Sequence, residues 1–159
     1  MTTNELYFKT AFACMSCDGD IADEEVKLIK RFAENSELFK GIDIEKTIND
    51  YVLQINQDGT DFLKTYLTEV EQSSLTDNEQ LELVSIAVRM IYADNIVQYS
   101  EVVFFKKIRK RLSVTDEQIL AKEPDIEEFL LPDIEEPELL EWDTKFEEIK
   151  INVQPKDVG

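Results

Sequence analysis

Apolar side chains recur at intervals of three and four residues as far as residue 121, separated by short polar breaks. This spacing is the pattern of helices that bury one face and expose the other. Four Gly and four Pro are too few for a fold of many strands and turns. We therefore predict an all-α bundle of about seven helices. The predicted spans are 4–17, 22–35, 44–57, 61–72, 76–93, 98–112 and a short helix from 115.

Threonines mark three of the predicted helix starts. Thr76 and Thr115 are followed three residues later by Glu79 and Gln118, which is the spacing of a capping box. Thr60 follows Asp58-Gly59 in a turn and is predicted to cap the fourth helix. These boundaries place the helices in two related helix-loop-helix pairs.

The chain carries an internal repeat. Residues 13–30 and 89–106 align at an offset of 76, each closing one helix and opening the next, and the similarity is greatest after the shared glutamate. A repeat of this length is usually a structural unit and predicts pseudo-symmetry. One aspartate and one glutamate recur in each copy: Asp18 and Glu25, then Asp94 and Glu101.

Two interpretations of these four acids remain open. Carboxylates in the first turn of a helix are stabilised by exposed N–H groups and the helix dipole, which would make them ordinary helix-start residues. A reciprocal capping box is excluded, because the residues three before the glutamates are Ala22 and Gln98. In the other interpretation the two loops converge, and a cation offsets the repulsion among the carboxylates. Oxygen ligands suit a divalent cation such as Mg²⁺, Ca²⁺ or Mn²⁺.

The first loop begins with Asp18-Gly19-Asp20, as an EF-hand calcium loop can. That loop requires Gly at its sixth position and Glu at its twelfth, where this chain has Asp23 and Ile29. The EF-hand interpretation is therefore rejected.

The pattern Cys-Asp-Gly-x-Ile-x-x-x-Glu over residues 17–25, repeated from Ala93, resembles the tellurite-resistance TerB-like family. That family includes a domain on the N-terminal side of DjlA-like co-chaperones, and the resemblance covers roughly residues 4–121. It implies an all-helical fold with internal pseudo-symmetry and an acidic cluster that binds a divalent metal. Residue by residue, that role falls on Asp18, Glu25, Asp94 and Glu101. The second copy departs from the pattern, since Asn95 replaces Gly19.

Composition narrows the function further. With 17 basic and 35 acidic residues the net charge is −18, which disfavours nucleic acids and anionic membranes as partners. Histidine is absent, which removes the usual general base and every Ser-His or Cys-His pair. No apolar run reaches the roughly 20 residues of a membrane span, and the first residues lack a signal-peptide pattern. We therefore expect a cytoplasmic protein without direct membrane insertion.

The composition changes after Ala121. Residues 121–159 contain 13 acidic and 4 basic residues, a net charge of −9, and all four prolines. Large apolar residues, among them Trp142, interrupt the acidic stretches, unlike a typical disordered tail. We predict a domain over 1–121 and an acidic extension over 122–159. The extension either packs on the domain as an arm or is a linear segment that binds a partner. We favour the packed arm.

Three other features have ordinary explanations. Cys14 and Cys17 have the spacing of a redox pair, but they end a predicted helix instead of opening one and are expected in the core. The basic residues between Lys106 and Arg111 are expected to form a solvated face that pairs with the acidic extension, with docking of an acidic partner as the alternative. Tyr92 and Tyr99 flank the second loop and are expected to pack rather than gate it.

Three functions are compatible with these sequence features. The first is a non-enzymatic TerB-like module that binds a divalent cation and acts in stress-response protein assemblies. The second is a metal-free interaction module whose acidic surface recognises a basic partner. The third is a carboxylate-metal hydrolase, which ranks last because the chain offers no obvious base, nucleophile or anion-binding glycine loop. A protein partner is expected; its identity and the oligomeric state are left open.

Overall fold

The computed structural model describes residues 2–17, 19, 23–93 and 99–130. These residues form eight α-helices and two short 3-10 turns, Glu37–Phe39 and Pro124–Ile126, and contain no strand. The predicted all-α helical bundle is confirmed. In chain order the helices are α1 Thr3–Ser16, α2 Asp23–Glu34, α3 Ile44–Asp58, α4 Thr60–Gln72, α5 Asp77–Ile91, α6 Tyr99–Lys110, α7 Asp116–Lys122 and α8 Glu127–Leu130.

Capping boxes open three of the eight described α-helices. The boxes opened by Thr76 and Thr115 are both confirmed. In each box the threonine hydroxyl accepts a hydrogen bond from the N–H of the third helical residue, and the side chain of that residue accepts one from the threonine N–H. Thr2 and Glu5 form a third box at the start of α1, which was not predicted from the sequence. Replacing such a threonine by alanine typically costs about 1 kcal/mol.

The predicted cap at Thr60 is wrong. Gly59 separates α3 from α4, and its φ of 60° lies in the left-handed region that glycine adopts without strain. Its N–H donates to the Ile55 carbonyl oxygen at 2.8 Å and ends α3, while the same residue precedes α4. Because one glycine completes the turn, Thr60 is already helical and makes no capping hydrogen bond.

Helix α1 lies at the centre of the bundle. We predicted one apolar face, but Leu6–Ser16 are all buried, so the helix is enclosed on every side. It packs most extensively against α5, and also against α2, α4 and α6. Three polar residues are enclosed with it. Thr10 donates to the Leu6 carbonyl oxygen at 2.8 Å, Ser16 donates to the Phe12 carbonyl oxygen at 3.0 Å, and Lys9 reaches Glu69. The C-terminal end of this helix therefore leaves Cys17 buried inside the bundle.

The chain continues to pack after α7. Ile126 and Phe129 are buried, and the Phe129 ring lies 5.5 Å from the Phe105 ring of α6, centroid to centroid. Residues 131–159, including Trp142, lie outside the described part of the chain. The packed acidic arm and the domain boundary at 121 therefore stay predictions. The pseudo-symmetry of the two repeats also stays a prediction, because most residues of both loops lie outside the described part of the chain.

Candidate functional site

Helices α2 and α6 start in the same way. Each places a glutamate at its third residue, Glu25 in α2 and Glu101 in α6. Carboxylates at this position face the exposed N–H groups and positive dipole end of the helix. Both side chains make at least one further polar or electrostatic interaction. Equal placement in the two helices agrees with the repeat seen in the sequence.

Glu101 is more enclosed than its counterpart. Its exposed fraction is 8%, whereas Glu25 is half-buried. A carboxylate is rarely this buried unless it is paired or coordinated. The Glu101 carboxylate lies close enough to Cys14 for its charge to add to the effect of burial on that thiol. The start of α6 therefore lies against the end of α1.

A second contact joins the same two helix ends. The Cys17 Sγ atom lies 3.8 Å from the Ser100 carbonyl oxygen and 3.3 Å from that of Cys14, and its single S–H is a weak donor that serves one of them at a time. The chain then passes through position 18 to Gly19, whose φ of 87° is left-handed and whose N–H donates to the Ser16 carbonyl oxygen at 3.0 Å. The loop of the first copy thus leaves α1 next to the helix that follows the second loop.

The two aspartates of the predicted set, Asp18 and Asp94, lie outside the described residues. Among the residues that the structure does describe, no three His, Cys, Asp or Glu side chains come together as a metal-binding group. Of the four predicted metal ligands, the structure therefore describes two, the carboxylates of Glu25 and Glu101 at helix starts. Their oxygen atoms fit a hard divalent cation and do not fit a soft one.

The two cysteines are core residues, as predicted. Cys14 and Cys17 are 1% and 2% exposed, and both are free thiols. Burial, followed by the charge of Glu101, raises the pKa of Cys14 well above its ordinary value. A reactive thiol requires the opposite shift and access to solvent. This pair therefore has the properties of packing residues.

The basic edge of α6 is partly neutralised within the fold. Arg109 makes two hydrogen bonds to Asp116 Oδ1, at 3.0 Å from Nε and 2.7 Å from Nη2. Arg111 Nη1 donates to the Lys107 carbonyl oxygen at 2.8 Å. Whether this edge also meets the acidic extension stays a prediction. Tyr92 is 40% exposed, and its ring stacks on Phe129 at 5.8 Å.

The burial of the Lys9 ammonium was not predicted from the sequence. Lys9 is 5% exposed, and its Nζ lies 2.9 Å from Glu69 Oε1 and 4.9 Å from the centroid of the Phe62 ring. The ion pair and the aromatic face together compensate the desolvated ammonium. A single lysine inside an apolar helix is the sequence signal for such a pair. It fixes α1 against α4 and does not belong to the carboxylate site.

In comparisons with known proteins, no family model, no curated protein and no solved structure matches the chain. In the described part of the chain, no helix combines the length and the apolar character needed to cross a membrane.

Proposed function

We propose that the chain is a non-enzymatic helical module of the TerB-like type that binds a divalent cation. Asp18, Glu25, Asp94 and Glu101 would hold the cation, and the bound cation would fix the two helix-loop-helix repeats against each other. The module would act in cytoplasmic stress-response assemblies by presenting its surface to a protein partner.

The enclosure of Glu101 beside the end of α1 is the observation that carries this proposal. Glu101 belongs to the second copy of the repeat, while Cys14 and Cys17 belong to the first. The contact between Cys17 and Ser100 therefore crosses from one copy to the other, and so does the effect of the Glu101 charge on the Cys14 thiol. Position 18 directly follows Cys17. The proposal extends this proximity to the two aspartates.

The chemistry of the donor set selects the class of cation. Four carboxylates brought together repel one another unless a cation compensates them or some bind protons. Carboxylate oxygens are the ligands of Mg²⁺, Ca²⁺ and Mn²⁺, and the chain has no histidine to favour zinc or copper. The cation would supply positive charge at the junction. The protein side chains would orient around it and hold the two loops in one arrangement.

Thermal unfolding tests the proposal directly. A cation that binds only the folded state stabilises it by about 2.7 kcal/mol at one hundred times its Kd. For a chain of this size, that corresponds to a rise in Tm of about 5 to 10 °C. Melting curves in chelator would be compared with curves in Mg²⁺, Ca²⁺ and Mn²⁺. The wild type should shift, whereas Glu101→Gln and the double variant Asp18→Asn/Asp94→Asn should not.

Two matched controls separate cation binding from the helix dipole. Asp61 and Glu117 are exposed acids in the first turns of α4 and α7, so their neutralisation removes a similar dipole interaction elsewhere. Asp61→Asn and Glu117→Gln should keep the cation-dependent shift in full. A wild type whose Tm is the same in chelator and in all three cations contradicts the proposal and leaves the metal-free interaction module as the better hypothesis.

A further inference from the structure

A groove lies between the C-terminal ends of α2 and α5. Its volume is about 580 Å³, within the range of sites that hold a small ligand or an anchoring side chain. Leu28, Phe32 and Met90 supply apolar lining. Arg31 and Arg89, both exposed, also line it. The groove thus combines an apolar surface with two guanidinium groups, on a protein whose net charge is −18.

The two arginines retain their binding capacity. Neither guanidinium forms an ion pair with any residue that the structure describes. One carboxylate, that of Glu37, also lines the groove, but it lies 3.6 Å from Lys40 Nζ in an exposed pair. The local charge is therefore positive. A guanidinium offers a planar set of donors that matches a carboxylate. The groove is suited to a segment that carries both apolar side chains and acids.

The described part of the chain ends near this groove. Phe129 stacks on Tyr92, and the residue after Tyr92 is Ala93, which lines the groove. The described part ends at Leu130, and residues 131–159 follow with nine acidic and three basic residues, a net charge of −6. Residues 139–146 read Leu-Leu-Glu-Trp-Asp-Thr-Lys-Phe, in which an acid stands on each side of the tryptophan and one lysine follows. Nine residue steps from Leu130 to Leu139 span up to about 30 Å.

We propose that residues 139–146 dock in this groove of their own chain. Trp142 occupies the apolar lining, and the neighbouring carboxylates of Glu141 and Asp143 pair with Arg31 and Arg89. The groove is then a self-occupied binding site for an acidic segment with an aromatic anchor. This inference does not depend on the cation site, because no groove residue belongs to the predicted ligand set.

Trp142 is the single tryptophan of the chain and reports on its own burial. Emission spectra and acrylamide quenching would be recorded for the full-length wild type and for Arg31→Glu/Arg89→Glu. The control is Lys46→Glu/Lys64→Glu, which changes the net charge by the same amount at exposed sites on α3 and α4. A milder variant, Arg31→Gln/Arg89→Gln, serves if the reversed charges disturb folding, which circular dichroism would detect.

The expected result is a wild-type emission maximum shifted to the blue of the denatured chain, with weak quenching. Quenching should rise several-fold in both groove variants and stay at the wild-type level in the control. Solvent-exposed Trp142 in the wild type overturns the proposal. Equal quenching in all variants overturns it as well, because Trp142 is then buried elsewhere. Burial that increases with protein concentration also overturns it and identifies docking between two copies or in trans.

Discussion

The hydrogen bond between Thr10 and Tyr66 offers a stringent test of how α1 is held in the bundle. Both side chains are fully buried, and their oxygen atoms lie 2.6 Å apart. Thr10 Oγ1 lies 2.8 Å from the Leu6 carbonyl oxygen, which can only accept. A hydroxyl carries one hydrogen, so the arrangement that uses both hydrogens has Thr10 donating to Leu6 and Tyr66 donating to Thr10. Thr10 therefore both donates and accepts, whereas Tyr66 only donates.

This difference determines how much stability each variant should lose. Thr10→Val leaves the buried Tyr66 hydroxyl without an acceptor and frees the Leu6 carbonyl oxygen from its side-chain bond, which should cost about 1–3 kcal/mol. Tyr66→Phe removes a donor while Thr10 continues to donate to Leu6, and it retains the ring contact with Phe104. Its cost should be about 1 kcal/mol. In the double variant no donor is left unsatisfied, so its cost should fall below the sum of the two single costs.

The assay is urea unfolding of the wild type, both single variants and the double variant at neutral pH. Burial is the largest cause that raises the pKa of Tyr66 well above its ordinary value, so the phenol stays protonated there. The unfolding therefore measures the hydrogen bond rather than a charge. A larger cost for Tyr66→Phe than for Thr10→Val, or strict additivity in the double variant, would refute the assigned direction.

Three further predictions test other parts of the fold. Gln80→Leu should cost about 1–3 kcal/mol in urea unfolding, because Gln80 Oε1 accepts from the buried Val114 N–H at 3.2 Å. Burial, followed by the charges of nearby acids, raises the pKa of Tyr7 to about 12, above its ordinary 10.0. Stability should therefore fall as pH rises from about 10 toward 12, and Tyr7→Phe should weaken that fall in urea melts. Cys14 should react with a thiol reagent only as fast as the chain unfolds, as mass spectrometry would measure, and faster labelling would contradict its burial.

Much of the fold was predictable because local signals and tertiary packing agree. The 3.6-residue spacing located all seven longer helices to within a few residues, and Thr76 and Thr115 marked two starts correctly. Thr60 failed because Gly59 completes the turn alone, a matter of backbone conformation that residue type does not reveal. The enclosure of α1 on all sides was also missed. In the sequence Lys9 and Thr10 resemble an exposed face, because their partners Glu69 and Tyr66 lie on α4.

The candidate site was less predictable than the fold. The repeat identified Glu25 and Glu101, and their equal placement at helix starts follows from local sequence. The burial of Glu101 does not, since it depends on how α6 meets α1 across more than eighty residues of chain. The groove between α2 and α5 depends in the same way on helix packing. Arg31 and Arg89 are separated widely in sequence and carry no shared motif.

Calorimetric titration with divalent cations tests the central claim most directly. We predict saturable binding of one Mg²⁺, Ca²⁺ or Mn²⁺ per wild-type chain, retained in Glu117→Gln and abolished in Glu101→Gln. A tenfold loss of affinity corresponds to about 1.4 kcal/mol, which the titration resolves easily. Absence of saturable heat for all three cations in the wild type, or equal binding in Glu101→Gln, would contradict the cation site.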